Sequence, residues 1–341
     1  MTRRRLLQAL AAAPLLSSAR AEPPSPWSRA EPHMGCLWTL TLPDTPPEIA
    51  SRAADAVFQE IRRLNQIFSD YEPTSELNRL CARAGQPAPV PLSPALFDIL
   101  AAAQQVSIHT RGLFDVTLAP CVRLWRRSRR RSELPSPAAL AQARALCGYQ
   151  ALLLDPAAQS ARLAKPGMQL DLGGIAKGWT QDACLRLLQQ RFAISCVLLD
   201  AAGEVAVGTP PPGRDAWQIQ LQAPSAQPSA QPSAQPSSRI PLRQANVATS
   251  GDLYQFVEID GQRYSHLIDP RTGLGSTISR QGTLIAPTGA LADPLAKLLC
   301  LADPDTSLAL LRQHYPNVQA KITESLHPSQ PRQTPNFPPT S

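Results

Sequence analysis

The stretch "LDLGGIAKGWTQDACLRLLQQRFAISCVLLDAAGEVAVG" runs from Leu170 to Gly208. Its first ten residues hold a carboxylate, three glycines and a lysine between apolar segments. Glycine lets backbone approach a ligand closely, and a helix starting there would aim free N–H groups at an anion. Taken alone, the segment reads as a strand-to-helix turn with a solvated lysine before it reads as a phosphate cradle. It feeds a helix through "GWTQDACLRLLQQRF". Beyond that, "ISCVLLDAAGEVAVG" reads as a buried strand, a turn and a return. Helices and strands interleave without a strict βαβ repeat, which predicts one mixed α/β or α+β domain with mixed sheets and flanking helices.

The flanking sequence agrees. "CLWTLTL" (Cys36 to Leu42) alternates like a strand, and Ile49, Ala53, Val57, Ile61 and Leu64 recur at helical spacing. Ser93 and Ser136 are N-cap residues, each followed by proline, for helices over "SPALFDILAAAQQVSIHT" and "SPAALAQARALCG". Short strands are predicted at "ALLLD", "SARLAK", "MQLDL", "AWQIQLQA" and "GTLIAP". Asp260-Gly261 is the dipeptide of a tight type I′ hairpin turn inside "YQFVEIDGQRYSHLIDP". Final helices are expected over "ALADPLAKLLCLA" and "DTSLALLRQHY".

With 341 residues and 43% hydrophobic content the chain is long enough for a sizeable core. Its 36 prolines gather in "EPPSPW", in the low-complexity "SAQP" repeat and in "HPSQPRQTPNFPPTS". Residues 22–33, an insertion at 223–239 and a tail at 319–341 are accordingly expected to be mobile, around a domain at 34–318. The start, "MTRRRLLQALAAAPLLSSARAE", has an arginine cluster, a short apolar run and the A-x-A pattern Ala19-Arg20-Ala21. It reads as a signal peptide over 1–21, of the general secretory or the twin-arginine kind. No later segment is long and apolar enough to span a bilayer, so a soluble periplasmic protein is expected. Loss of the signal removes four arginines and no acid, taking the net charge from +7 to +3. That balance does not point to nucleic acid. The basic run "RLWRRSRRRS" is read as a solvated loop or helix face without a catalytic role. Seven cysteines lie far apart with no C-x-x-C and no zinc spacing; an oxidising compartment permits one or two disulfides, and Cys184 and Cys196 read as small core residues.

The densest polar cluster is "RYSHLIDPRTG" (Arg263 to Gly273). Of five histidines only His266 sits among an Asp, an Arg and two hydroxyls. "FSDYEPTSELNRL", "GLFDVTLAP" and "VATSGDLYQF" add aromatics, carboxylates and glycine turns suited to a nucleotide-sized ligand. The nucleophile elbow, P-loop, H-E-x-x-H and Rossmann patterns are all missing.

Taken in order, Met34-Gly35, "FSDYEPTSELNRL", "GLFDVTLAPCVRLW", "LDLGGIAKG", "DAAGEVAVG", "VATSGD", "RYSHLIDPRTG" and "ADPLAK" resemble the ApbE-type FAD:protein FMN transferases, from about Met34 to about Leu301. The resemblance implies that FAD is bound, a Ser or Thr hydroxyl of a partner protein attacks its pyrophosphate, FMN becomes phosphoester-linked to that residue, and AMP leaves. It implies His266 as the base, Met34, Tyr71, Phe114, Asp115, Asp171, Lys177 and His266 as FAD contacts, and Mg²⁺ on Asp293 with a backbone carbonyl near Gly174. The acceptor would be a periplasmic or membrane-bound redox protein.

The chain departs from the pattern twice. Lys297 stands where a hydroxyl metal ligand is expected, and a protonated ammonium is a donor that cannot ligate a cation. Three readings follow: Lys297 points away and the metal is held loosely, its charge takes over part of the metal's role, or the chain is an FAD-binding accessory or carrier protein with weak or lost transfer. A hydrolase splitting FAD with water is a further reading. The second departure, Ala202-Gly203-Glu204 in place of a glycine pair and Asp, would tighten a turn or shift a contact.

Overall fold

A computed structural model describes residues 26–221, 238–251, 255–324 and 331–340. The proposed signal peptide, residues 223–237 of the low-complexity insertion, Asp252 of "VATSGD" and residues 325–330 and 341 of the tail lie outside them. The chain starts as a hairpin, β1 (Trp27–His33) and β2 (Cys36–Leu42), then forms α1 (Pro47–Phe68), α2 (Glu76–Cys81), β3 (Val90–Pro91) and α3 (Pro94–His109). After one 3-10 turn come α4 (Ala119–Arg131) and α5 (Pro137–Ala145), then β4 (Leu152–Asp155), β5 (Ser160–Leu163) and α6 (Ala176–Phe192). The second half holds β6 (Leu198–Ala201), β7 (Glu204–Val207), β8 (Trp217–Gln220), β9 (Arg239–Leu242), β10 (Ala245–Gly251), β11 (Phe256–Ile259), β12 (Gln262–Ser265) and β13 (Arg280–Ala286). It closes with α7 (Gly289–Leu301), α8 (Pro304–His314), β14 (Gln319–Glu324) and β15 (Arg332–Gln333).

Eight strands make the main sheet in the order β1-β2-β6-β7-β10-β13-β14-β15, antiparallel at every step. The mixed architecture expected from the sequence is therefore realised as α+β. Tight turns make this order cheap to reach. Met34 (φ 47°) and Gly35 (φ 77°) join β1 to β2, Ala202 (φ 55°) and Gly203 (φ 91°) join β6 to β7, and Asp260 (φ 50°) and Gly261 (φ 74°) join β11 to β12. Two consecutive left-handed residues match the twist of the strands they connect.

Helix α7 packs on β10 and β13, α6 on α7, and α1 on α6. Between β2, α1 and α6 the apolar positions read from the sequence make the contact: Trp38, Leu40, Leu42, Ala53, Val57, Ile61, Cys184 and Leu188 are all fully buried in one cluster. A second layer, β8 with β9, closes over β7, β10 and β13 through Ile219, Ile240, Val205 and Val247. Helices α4 and α5 pack with the β11–β12 hairpin around Cys121, Trp125, Ala143 and Ile259. All seven cysteines are free thiols, with the Cys121 and Cys147 sulfurs 3.7 Å apart. Among the described residues no helix is long and apolar enough to cross a membrane.

Three expectations need correction. Residues 27–33, placed in a mobile segment because of the prolines before them, pair in full register with β2, Trp27 opposite Leu42 and His33 opposite Cys36. The tail expected to be mobile from 319 begins as a strand: Ala320 and Ile322 alternate into the core, and β14 pairs with β13 from Arg280↔Glu324 to Ile285↔Gln319. "MQLDL" is no strand. It runs through the core with Met168, Leu170 and Leu172 buried, held by single bonds from the Leu170 N–H to the Cys81 sulfur and from the Asp171 N–H to the Val116 carbonyl.

Candidate active site

A cavity of about 1530 Å³ opens between α4, the Gly173-Gly174 loop, the β6–β7 turn, β10 and the β11–β12 hairpin. That is ample room for a dinucleotide-sized ligand. Tyr71, Phe114, Asp115, Asp171, Gly174, Lys177 and His266, all picked out in the sequence, line it. Two expected members do not. Met34 lies at the β1–β2 turn beside a separate cavity of about 700 Å³, and Asp293 is buried behind the wall, 1% exposed.

The glycine loop is shaped by Asp171. Its Oδ1 accepts the Gly173 N–H at 2.7 Å and its Oδ2 accepts from the Arg126 guanidinium at 3.1 Å. The same guanidinium donates to Asp70 at 3.0 Å and lies 4.9 Å from the Tyr71 ring centre, holding that exposed ring at the cavity mouth. Burial, then the neighbouring Asp70 charge, pushes the Asp171 carboxyl above its usual range, with Arg126 opposing. A side chain at Gly174 would meet Phe114 at 3.0 Å, so glycine lets the loop lie against that ring. Asp115 serves the turn as much as the cavity: its carboxylate accepts from the Thr117 N–H and hydroxyl and from the Tyr149 N–H.

His266 follows the end of β12. Its Nδ1 stands 3.2 Å from the Gln255 carbonyl. Only a protonated nitrogen can face a carbonyl, so Nδ1 carries the proton and Nε2 keeps its lone pair. Burial, with the positive charges of Arg129, Lys297 and Lys177 adding to it, pushes the imidazole down to about 4. At neutral pH this is an uncharged base on the wall of a cavity. Downstream, Asp269 is engaged by Arg271 and by the turn's own N–H groups, so the "DPRTG" part is turn chemistry, and of this cluster's polar side chains His266 is the one that lines the cavity, beside Leu267 and Ile268.

Across the cavity two acid–base pairs sit together: Lys177 with Glu204 at 2.5 Å, and Lys297 with Asp293 one helical turn before it. Ala202-Gly203 makes the β6–β7 turn tight and sets Glu204, 7% exposed, at the start of β7. Burial would lower the Lys177 ammonium; Glu204 and then Asp293 outweigh it and raise it. Burial and then the Asp293 charge push the Glu204 carboxyl up to about 7, against the pull of both lysines.

These residues do not fit a divalent cation as they stand. The Lys297 ammonium donates to the Asp293 Oδ1 and also, at 3.2 Å, to the Asp293 carbonyl. Asp293 Oδ2 and Glu204 Oε2 are buried without a hydrogen-bond partner. A cation drawn to them would sit beside two fixed ammonium groups that already balance both carboxylates. Among the described residues no three His, Cys, Asp or Glu side chains converge on one point.

Sequence reasoning missed Arg126, Arg129 and Arg130, which line the cavity, by reading the basic run as a solvated face. The signal was available. Ala119, Cys121, Trp125 and Ser128 are the buried residues along α4, and a helix continued to Ser128 at that spacing sets the arginines at its flanks.

Residues 34–322 match the family model described as the ApbE family. The chain is 31% identical over 309 residues to the FAD:protein FMN transferase of Treponema pallidum, covering 86% of this chain and 83% of that protein. It is 30% identical over 260 residues to the protein of the same name from Haemophilus influenzae, covering 74% of this chain and 73% of that one. Among solved structures it is similar to the apo form of Pseudomonas stutzeri flavinyl transferase ApbE, with a TM-score of 0.75, 28% identity and coverage of 91% of this chain and 94% of that one.

Proposed function

The chain belongs to the ApbE family, and from that premise we propose that it is an FAD:protein FMN transferase. FAD is the donor, and a Ser or Thr hydroxyl of a partner protein is the acceptor. The reading rests on one observation above the rest: the Nε2 lone pair of His266 on the wall of a dinucleotide-sized cavity. His266 takes the acceptor's hydroxyl proton, the hydroxyl oxygen bonds to the FMN-side phosphorus, and the bond to the AMP phosphate breaks. Products are the FMN phosphoester and AMP. Phe114 and Tyr71 offer faces for the flavin or adenine ring, and Lys177 with the arginines of α4 offsets the pyrophosphate charge. The Mg²⁺ implied by the resemblance would need Asp293 and the Gly174 carbonyl, and the Lys297 ammonium already bonds Asp293.

Residues 1–21 have the composition of a signal peptide, so the acceptor belongs on a periplasmic or membrane-bound redox protein.

The deciding experiment incubates the protein with FAD and a Ser/Thr-containing acceptor peptide. A fluorescent, covalently flavinylated peptide with stoichiometric AMP is expected, and His266→Ala should retain FAD while losing transfer. Tight FAD binding with no product under any metal condition would point instead to a carrier. AMP without labelled peptide would point to a hydrolase.

A further inference from the structure

We propose that the Lys297 ammonium is the resident cation of this site and that FAD's pyrophosphate is engaged without a divalent metal. The inference rests on the FAD reading above and deepens it.

Lys297 already bonds one carboxylate oxygen and the backbone carbonyl of the residue a metal would need. Two of its N–H bonds go to the side chain and backbone carbonyl of Asp293, the residue to which the resemblance assigns the metal. Its stem lies on the glycine loop: a side-chain carbon at Gly174, the other proposed ligand, would meet the Lys297 Cδ and Cε atoms at 3.4 Å. Lys297 itself lines the cavity, with 19% of its side chain exposed, while Asp293 stands behind it at 1%. A ligand in the cavity therefore meets the ammonium and not the carboxylate.

The charge tally agrees. Lys297 pairs with Asp293 and Lys177 with Glu204, so each ammonium group has a carboxyl partner before any ligand enters. Beyond these pairs Arg129 and Arg130 line the same cavity and supply positive charge for the phosphate groups, while Arg126 is already engaged by Asp70 and Asp171. An ammonium offers charge-assisted hydrogen bonds to phosphate oxygens as a point charge. A divalent ion would have to displace it from Asp293 or share a confined space with it.

The test uses the full chain with Mn²⁺ alone as the metal probe, its uptake read from the loss of the free-ion electron paramagnetic resonance signal, and in parallel FAD affinity with chelator or with excess Mg²⁺. Wild type should take up no Mn²⁺ and bind FAD equally in both conditions. Lys297→Met, which keeps the stem and removes the charge, should bind FAD about tenfold more weakly in both, the size expected for one charge-assisted hydrogen bond. Lys297→Thr should weaken in chelator, recover with Mg²⁺ and acquire Mn²⁺ uptake. One Mn²⁺ bound per wild-type chain, or wild-type FAD affinity lost on chelation, overturns the inference, as does Lys297→Met binding FAD like wild type. The Mn²⁺ arm needs no FAD. Wild type that takes up no Mn²⁺ and binds no FAD would overturn the transferase reading while leaving Lys297 as the resident cation.

Discussion

At the scale of single residues the site is a matter of protonation and charge pairing. An ordinary histidine titrates near ~6.5 and would lose its base form as the pH falls through that value. His266 is pushed down to about 4, so its neutral form persists at least two pH units further into acid. In the FAD-free enzyme the acid limb of kcat/KM should accordingly fall near pH 4 to 5; a limb centred on ~6.5 would mean that His266 is not held in this environment during the reaction. Arg126 carries a second prediction. It alone among the α4 arginines bonds both Asp70 and Asp171, so Arg126→Ala leaves two neighbouring carboxylates facing each other. Because the guanidinium is about a third exposed, the loss should be about 1–2 kcal/mol in a denaturant melt, below that of a fully buried pair, together with weaker FAD binding. The histidine was legible from its polar neighbours in the chain. Arg126 was not, because its partners lie 45 and 56 residues away and a basic run looks the same whether it meets solvent or carboxylates.

At the scale of elements the site hangs on the crossing of α6 and α7, the helices that carry Lys177 and Lys297. Their backbones touch: a side chain on Gly178 would come within 2.1 Å of the Gly289 carbonyl, and one on Gly289 within 2.3 Å of the Gly178 carbonyl. Neither glycine has a left-handed φ, so the requirement is proximity alone. Gly178→Ala should therefore destabilise the protein by about 2 kcal/mol or more, the scale of overpacking against atoms that have no flexible end to move, and a thermal melt reads it directly. A melt equal to wild type would show that the helices can separate without loss. The same crossing supplies the cap. Thr288 makes no side-chain cap bond; the carboxylate of Asp182, from α6, instead accepts the Gly289 and Ala290 N–H groups at 2.8 and 3.0 Å. Local caps such as Ser93 and Ser136 were legible because each cap and its helix are adjacent in sequence. Asp182 is 107 residues from the N–H it satisfies, and no local signal announces it. "MQLDL" failed for the related reason that an apolar run specifies burial, while a strand also needs a partner.

At the scale of the whole molecule, alternation and turn chemistry made the hairpins legible, but the order of the eight-stranded sheet depends on which distant edges meet. The chain's two ends illustrate this: β1 holds one edge, and β14 and β15 the other, although proline content marked both regions as mobile. The internal proline-rich stretch makes a different case. Strands β8 and β9 pair from Trp217↔Leu242 to Gln220↔Arg239, and the Leu221 N–H donates to the Ser238 carbonyl at 2.8 Å, so the sixteen residues between them leave and return at one point. Their length then enters stability mainly as loop-closure entropy, which grows with the logarithm of length. Deleting residues 225–235 leaves a five-residue connection and should stabilise the fold by about 1 kcal/mol, seen as a higher denaturant midpoint. Ile219, Gln220 and Leu221 line the cavity at the base of this hairpin, so the same variant reports on function. Flavinylation of a short acceptor peptide at the wild-type rate is expected if the repeat is only a connection; a stable variant that binds FAD but no longer labels the peptide would assign the repeat a part in receiving the acceptor.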